Sequence, residues 1–201
     1  MADVEFWFDL ASTYSYLSAM RIEAQAARRG RTVAWRPFLL GPVFKAQGWE
    51  TSPFNLYPAK GRYMVRDMER LAEARGLAFR LPMPFPQNSL RAARMALVGS
   101  DAGWTAAFVT AVFAAEFQDG ANISDPSLLD GICGRLGLDP RSIRSASEAD
   151  ALKQQLRNAT DEAMAKGIFG APTFVTADGE LFWGDDRLEA ALDWPGGQQK
   201  E

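Results

Sequence analysis

The chain begins with an apolar run, a short polar turn and a helical pattern. Apolar residues alternate along 4–8 as in a buried strand, residues 12–15 form the turn, and helical spacing continues to Gly30. This arrangement predicts a helix N-terminus at Ser12, where free backbone N–H groups and the helix dipole favour an anion. Serine is also a preferred N-cap, so Ser12 is either an anion-stabilising group or an ordinary cap.

Two features of the composition restrict the chemistry of the chain. It has no histidine, which excludes Ser–His and Cys–His nucleophile pairs and any histidine-ligated metal site. Its one cysteine, Cys133, follows an amphipathic helical pattern and is predicted to be a core residue. We therefore expect no metal site. A sulfur nucleophile, if the reaction needs one, would have to come from a cofactor.

Charge and hydropathy restrict the partners. The formal net charge is −3 and no run of Lys and Arg forms a basic patch, which argues against nucleic acid. No apolar run reaches about 18 residues and no leader pattern precedes the first strand. We therefore expect a cytoplasmic protein without a membrane span. With 47% hydrophobic residues among 201, the chain can bury a sizeable core.

A second apolar run, at 32–40, completes a β–α–β unit with a parallel strand pair. Ligands of open α/β sheets bind at the carboxyl ends of such strands. Arg36 and Lys45 lie near that end of the second strand. They are therefore candidate cations for a substrate that carries a carboxylate.

Residues 46–61 are predicted to form a long loop, because Gly and Pro interrupt them repeatedly. The loop contains several aromatic residues, among them Trp49, and long loops of this kind are often functional. Two interpretations stay open. The loop is the wall of a site for a flat ligand, with Asn55 and Lys60 as its polar groups, or it is held to the core by its aromatic side chains.

Helical patterns fill the middle of the chain, and an α/β pattern then resumes. Residues 170–183 predict a β-hairpin with its turn at 177–179, and a short helix follows. The predicted parts are an α/β domain from 1–42 and 146–194, a helical insertion over 43–145, and a flexible tail over 195–201.

Five stretches, in order along the chain, resemble the 2-hydroxychromene-2-carboxylate isomerase family, which is similar to kappa-class glutathione transferases. They are 8–17, 35–41, 58–64, 167–174 and 182–188. The resemblance implies an α/β thioredoxin-like domain with a large all-helical insertion, and a homodimer. Thioredoxins carry a Cys-x-x-Cys pair where this chain has Ser12 and Ser15, so thiol–disulfide redox activity is not expected.

The resemblance further implies that the chain binds glutathione. Ser12 would hold the glutathione thiol. The backbone of Ala171, which precedes a cis-proline at Pro172, would pair with the cysteinyl unit. Asp186 and Arg187 would hold the γ-glutamyl end.

Three further positions follow from the same resemblance. Lys60 matches the lysine that holds the glycine carboxylate of glutathione. The usual asparagine falls at Thr51 while Asn55 stands close by, so either side chain could make that contact. The usual proline after the serine is replaced by Thr13.

The implied activity is a glutathione-dependent cis–trans isomerisation of 2-hydroxychromene-2-carboxylate or a similar aromatic carboxylate. Ser12 has no histidine to activate it, so its hydroxyl is expected to stabilise a glutathione thiolate that adds reversibly to a conjugated double bond. Candidate substrate contacts are Arg36, Lys45, Trp49 and Tyr63. Two alternatives stay open: a kappa-like glutathione transferase or peroxidase, and a non-catalytic thioredoxin-like binding module.

Overall fold

The N-terminal apolar run forms one of the two inner strands of a mixed sheet in this computed structural model, which describes residues 2–195. The strands are β1 (Val4–Phe8), β2 (Val33–Pro37), β3 (Thr173–Thr176) and β4 (Leu181–Trp183), in the order β2-β1-β3-β4. β1 runs parallel to β2 and antiparallel to β3, and β3 pairs with β4 as a hairpin. The β–α–β unit and the C-terminal hairpin are therefore both confirmed.

Helices account for most of the remaining described chain. They are α1 (Thr13–Ala19), α2 (Ile22–Ala27), α3 (Leu40–Ala46), α4 (Pro53–Leu56), α5 (Pro58–Ala74), α6 (Leu90–Val98), α7 (Thr105–Phe117), α8 (Pro126–Arg135), α9 (Pro140–Glu148), α10 (Asp150–Ala165) and α11 (Leu188–Asp193). A 3₁₀ turn, Asp185–Arg187, precedes α11. Among residues 2–195, no helix is long and apolar enough to cross a membrane.

Strand β1 is buried on both faces. Phe6 packs on one face against Trp35 and Phe174, with ring centroids 5.0 and 5.5 Å away. Trp7 points to the other face and belongs to a separate cluster with Phe38. Because helices cover both faces, the strand is a nearly continuous apolar run.

The helices between β2 and β3 share a core with the sheet. The main buried cluster runs from β1 and α1 into α5, α7 and α8, for example from Phe8 to Phe113 at 6.2 Å between ring centroids. The α/β thioredoxin-like class with a helical insertion is confirmed, whereas the exact domain bounds stay a prediction. The tail prediction, 195–201, lies outside the described residues apart from Pro195.

The predicted long loop at 46–61 is wrong. Helix α4 and the start of α5 occupy its second half, so the irregular part shrinks to residues 47–52. Pro53 and Pro58 are the first residues of these two helices. Proline is favoured at that position because the missing N–H has no helical partner there. The first predicted helix is also divided, into α1 and α2.

Candidate active site

A cavity of about 1150 Å³ opens where α1, α3, α5 and the start of β3 converge. Its wall is largely apolar and includes Leu39, Phe54 and Phe85. Ser12, Lys60, Ala171 and Asp186 interrupt this apolar wall with polar groups. A concave apolar site with a few convergent polar groups is typical of small-molecule binding.

Ser12 joins two parts of the fold. Its Oγ accepts a hydrogen bond from the backbone N–H of Ser15 at 3.2 Å, as an N-cap does. The same hydroxyl donates to the carbonyl oxygen of Ala171 at 3.2 Å, and the Ala171–Pro172 bond is cis. Ser12 is therefore an N-cap and, at the same time, a wall group of the cavity facing Ala171.

Several backbone donors on this wall lack an acceptor. In the part of the chain that the structure describes, the N–H groups of Thr13, Tyr14 and Ala171 make no hydrogen bond. All three residues line the cavity. A proline after Ser12 would have no N–H, so Thr13 adds a donor at this position.

Lys60 and Asp186 supply opposite charges to the wall. The Nζ of Lys60 lies 5.3 Å from the ring centroid of Tyr57 and has no carboxylate partner among the described residues. The Asp186 side chain is 73% exposed and lies 3.5 Å from the Nη2 of Arg187. Arg187 itself is exposed and is not part of the cavity wall.

Three other predicted site residues do not reach the cavity wall. Arg36 lies on the face of β2 that α10 covers, where it pairs with Glu162 and stacks on Trp7 at 4.7 Å. Its charge is paired with Glu162 away from the cavity wall, and its contact with the substrate stays a prediction. Lys45 is exposed on α3 and does not line the cavity.

Asn55 is the third. Its Nδ2 donates to Thr51 Oγ1 at 3.3 Å, and Thr51, not Asn55, lines the cavity. Of the two alternatives left open by the sequence, the structure brings Thr51 to the wall.

The aromatic residues of the wall include both predicted ones. Trp49 packs against Phe44 with ring centroids 5.5 Å apart, and Tyr63 is 63% exposed at the cavity edge. Phe169 and Trp183 form a further pair at 4.8 Å, half exposed. Sequence reasoning missed this second pair, although 167–174 and 182–188 were singled out.

Asp9 is a wall residue that sequence reasoning missed. Its Oδ1 accepts from Ala11 N–H at 2.9 Å and from Ser89 Oγ at 2.6 Å, and its Oδ2 accepts from Leu40 N–H at 2.8 Å. Burial raises the pKa of Asp9, although these donors oppose the shift. The carboxyl ties the end of β1 to the starts of α3 and α6, and so fixes the turn before Ser12.

Asp185 is a second missed residue. Its side chain is 3% exposed and accepts from Arg75 Nη2 at 2.6 Å, Arg21 Nη2 at 3.2 Å and Ser18 Oγ at 2.9 Å. Arg75 lines the cavity as well, and its Nη1 is enclosed without a hydrogen-bond partner. Nothing in the sequence separates this buried aspartate from its exposed neighbour Asp186.

Cys133 lies in the core, as predicted, and does not line the cavity. Burial, and then the nearby charge of Asp130, raise the pKa of its thiol. A raised thiol pKa makes a poor nucleophile. Within residues 2–195, no cluster of potential ligand side chains could hold a metal ion.

The chain is similar to known proteins along nearly its whole length. Residues 3–193 match the family described as DSBA-like thioredoxin domain. The chain is 30% identical to 2-hydroxychromene-2-carboxylate isomerase of Sphingobium xenophagum over 92% of this chain and 94% of that protein. It is 26% identical to glutathione S-transferase kappa 2 of Caenorhabditis elegans over 95% of this chain and 90% of that protein. A solved 2-hydroxychromene-2-carboxylate isomerase superposes with a TM-score of 0.84 at 28% identity, covering 92% of this chain and 90% of that one.

Proposed function

Because the chain belongs to the 2-hydroxychromene-2-carboxylate isomerase family of DSBA-like thioredoxin domains, we propose that it is a glutathione-dependent cis–trans isomerase. Its substrate is 2-hydroxychromene-2-carboxylate, converted to trans-o-hydroxybenzylidenepyruvate, or a similar aromatic carboxylate. The observation that carries the proposal is the Ser12 hydroxyl, bonded to the Ala171 carbonyl at 3.2 Å on the wall of an apolar cavity. We further propose that the protein is a homodimer. We also place it in the cytoplasm, where thiols are kept reduced.

The free polar groups of the wall fit the charges of glutathione. Lys60 has no carboxylate partner among the described residues and would hold the glycine carboxylate. The exposed carboxylate of Asp186 would hold the ammonium group of the γ-glutamyl end, with Arg187 beside it. The unpaired N–H of Ala171 would bond to the cysteinyl backbone, in the manner of an added strand.

The residues around Ser12 are suited to stabilise a thiolate. Bound glutathione would supply a nucleophilic sulfur for reversible addition to a conjugated double bond. The Ser12 hydroxyl can rotate from the Ala171 carbonyl and donate to that sulfur. The unpaired N–H groups of Thr13 and Tyr14 add positive potential on the same wall. Such fixed donors in a largely apolar cavity are worth more than in water.

The substrate would occupy the aromatic part of the cavity. Trp49, Tyr63 and Trp183 offer flat surfaces for an aromatic ring. Among the described residues, Lys60 and Arg75 are the cations of the wall. With Lys60 assigned to glutathione, the enclosed and unpaired Nη1 of Arg75 takes the place of Arg36 and Lys45 as the candidate donor to the substrate carboxylate.

A kappa-like glutathione transferase or peroxidase is the second candidate. The 26% identity to a kappa-class enzyme over 95% of the chain favours it, and the same wall groups would serve it. A non-catalytic thioredoxin-like binding module is the third candidate. Such a module would not stabilise a thiolate.

One assay separates these functions. The dialysed protein is given 2-hydroxychromene-2-carboxylate, the absorbance is followed, and glutathione is then added in substoichiometric amount relative to substrate. An isomerase converts all the substrate after the addition, a transferase stops at one product per glutathione, and a non-catalytic module does neither. Undiminished turnover without any thiol would contradict the glutathione assignment.

Binding is measured separately by thermal unfolding. A hundredfold excess of glutathione over its dissociation constant should stabilise the fold by about 2.7 kcal/mol. Cys133→Ala serves as the control variant, because its thiol is buried away from the cavity. It should lose modest stability and keep both the glutathione response and the turnover; an inactive folded variant would mean that the sulfur was wrongly assigned.

A further inference from the structure

A second cavity, of about 220 Å³, lies between the start of α6, the segment before α8 and the end of α9. Its wall is polar, in contrast to the apolar wall of the first cavity. The lining residues are Asn88, Leu90, Arg91, Arg94, Ser124, Ser147 and Glu148. The isomerase proposal uses none of them.

Arg94 is the unusual member of this wall. It makes no hydrogen bond and no ion pair among the described residues, and its Nε is enclosed without a partner. Every other partly buried arginine in residues 2–195 has a carboxylate within 4.0 Å. These are Arg21, Arg29, Arg31, Arg36, Arg75, Arg91 and Arg144.

An arginine stays charged inside proteins, and burying part of its guanidinium, here the Nε of Arg94, without a partner costs free energy. Each of the other partly buried arginines pairs with a carboxylate, which offsets the free-energy cost of burial. Arg94 has no such partner within the described chain, so its environment is suited to an anion from solution.

The rest of the wall supports the same ligand chemistry. Arg91 and Arg94 are three residues apart on α6 and share one face of the helix. Arg91 is paired with Glu148 at 3.2 Å, and the Glu148 side chain is 55% exposed. Two guanidinium groups therefore oppose one carboxylate. Asn88 adds an amide Nδ2 that can donate to an oxyanion, whereas the hydroxyls of Ser124 and Ser147 already donate to Asn122 and to the Arg144 carbonyl.

We propose that this cavity is a second ligand site, which binds a small oxyanion through Arg94: inorganic phosphate, or the phosphoryl or carboxylate group of a small metabolite. Arginine is the residue best suited to such groups, because its planar fork of donors binds two oxygens at once. At about 30 Å³ per water molecule the cavity holds roughly seven waters. That volume admits a tetrahedral oxyanion with a short carbon chain.

The site adjoins the first cavity without being part of it. Asn88 and Leu90 line both cavities. Between them, Ser89 donates to the Asp9 carboxylate at 2.6 Å, and Asp9 fixes the turn before Ser12. An anion on Arg94 is therefore one short segment away from the groups that position Ser12. The proposal stands independently of glutathione and of the isomerase activity.

Thermal unfolding of the full chain in sodium phosphate, against sodium chloride of equal ionic strength, tests the site. Wild type should melt higher in phosphate. Arg94→Gln should lose this difference. Arg141→Gln should keep it, because Arg141 is exposed and its side chain has no ion pair among the described residues. Repeating the series with acetate distinguishes a carboxylate site from a phosphoryl site.

Two further variants make the test independent of how well Arg94→Gln folds. Glu148→Gln removes the competing carboxylate and should tighten phosphate binding several-fold in calorimetry. Ser12→Ala should keep the phosphate response, because Ser12 belongs to the other cavity. The site is refuted if phosphate acts no differently from chloride in wild type and Glu148→Gln. It is equally refuted if Arg94→Gln keeps the response or Ser12→Ala loses it.

Discussion

At the scale of single residues, Ser12 combines a structural and a proposed chemical role. Its hydroxyl caps α1 and contacts the carbonyl of Ala171, a residue 159 positions away. The two roles are separable because losing a cap costs only about 0.5–2 kcal/mol, against a usual stability of about 5–15 kcal/mol. A fold of this size tolerates the first loss.

Ser12→Ala should therefore stay folded and lose about 10²-fold or more in glutathione-dependent turnover, as when a single oxyanion donor is removed. Ser15→Ala is the matched control. Its hydroxyl is fully buried, has no partner in the described structure and does not line the cavity, so turnover should persist. Urea unfolding and the absorbance assay measure the two effects. Full turnover in a folded Ser12→Ala variant would end the thiolate-stabiliser hypothesis.

Glu116 is an exception to the rule that buried carboxyl groups are hydrogen-bonded. It has no exposed surface, and neither carboxyl oxygen has a hydrogen-bond partner among the described residues. Burial, and secondly the negative charge of Asp9, raise the pKa of Glu116 well above its usual value of 4.5. The folded protein therefore holds a proton on this side chain at pH values where the unfolded chain has released it.

This difference predicts a pH-dependent stability. Above pH 4.5 the unfolded state ionises at Glu116 while the folded state does not, so Glu116 lowers the free energy of unfolding as pH rises. The slope is up to about 1.4 kcal/mol per pH unit, until the raised folded pKa is passed. Glu116→Gln should be similar to wild type near pH 4 and increasingly more stable as the pH rises above 4.5, up to the raised pKa of the folded state.

Urea unfolding at several pH values measures that difference. Glu73→Gln, which changes an exposed side chain on α5, is the matched variant. A difference between Glu116→Gln and wild type that stays flat with pH would contradict a buried, protonated carboxyl.

At the scale of elements, Asp185 connects parts of the fold that are distant in sequence. Its carboxylate receives donors from α1, from the residue before α2 and from the residue after α5. Its neighbour Asp186 is exposed and faces the cavity. One short 3₁₀ turn therefore carries a structural carboxylate and a candidate ligand-binding one, side by side.

Asp185→Asn and Asp186→Asn should behave oppositely. The first removes the buried counter-charge of Arg75 and leaves Arg21 with only the partly exposed Glu189, so it should cost roughly 3–5 kcal/mol of unfolding free energy. The second should change stability by less than about 1 kcal/mol and weaken glutathione binding. Urea unfolding and calorimetry distinguish the two results. Equal stability losses in both variants would contradict this division of roles.

The sequence predicted those elements whose signals are local. The hairpin followed from its turn at 177–179, and the start of α1 followed from the polar turn at 12–15, with Ser12 as N-cap. Local signals failed where the partner is distant. From the sequence, Arg36 is expected to be a free cation at the edge of the sheet where ligands bind. In the structure it pairs with Glu162, which lies 126 residues later. Asp185 and Asp186 differ only in what the folded chain places around them.

At the scale of the whole molecule, strand β1 needs two neighbours from opposite ends of the chain. β2 is close in sequence, whereas β3 follows the entire helical section and brings Ala171 and Pro172 with it. A chain ending at residue 165 would therefore leave β1 with an unpaired edge and the cavity without one wall. Such exposed edges promote association.

The 1–165 chain should aggregate and show no glutathione-induced stabilisation. A 1–195 chain keeps every described element and should behave as the full chain does. Size-exclusion chromatography and thermal unfolding compare the two. A monomeric 1–165 chain that responds to glutathione would show that β3 is dispensable.

Ala171 comes 159 positions after Ser12, and this separation also sets a delay during protein synthesis. At about 5–20 residues per second, the ribosome needs about 8–32 s to make that length of chain. During this interval the nascent chain carries an apolar strand, Val4–Phe8, whose second edge has no partner. This is the window in which a chaperone would have to shield β1.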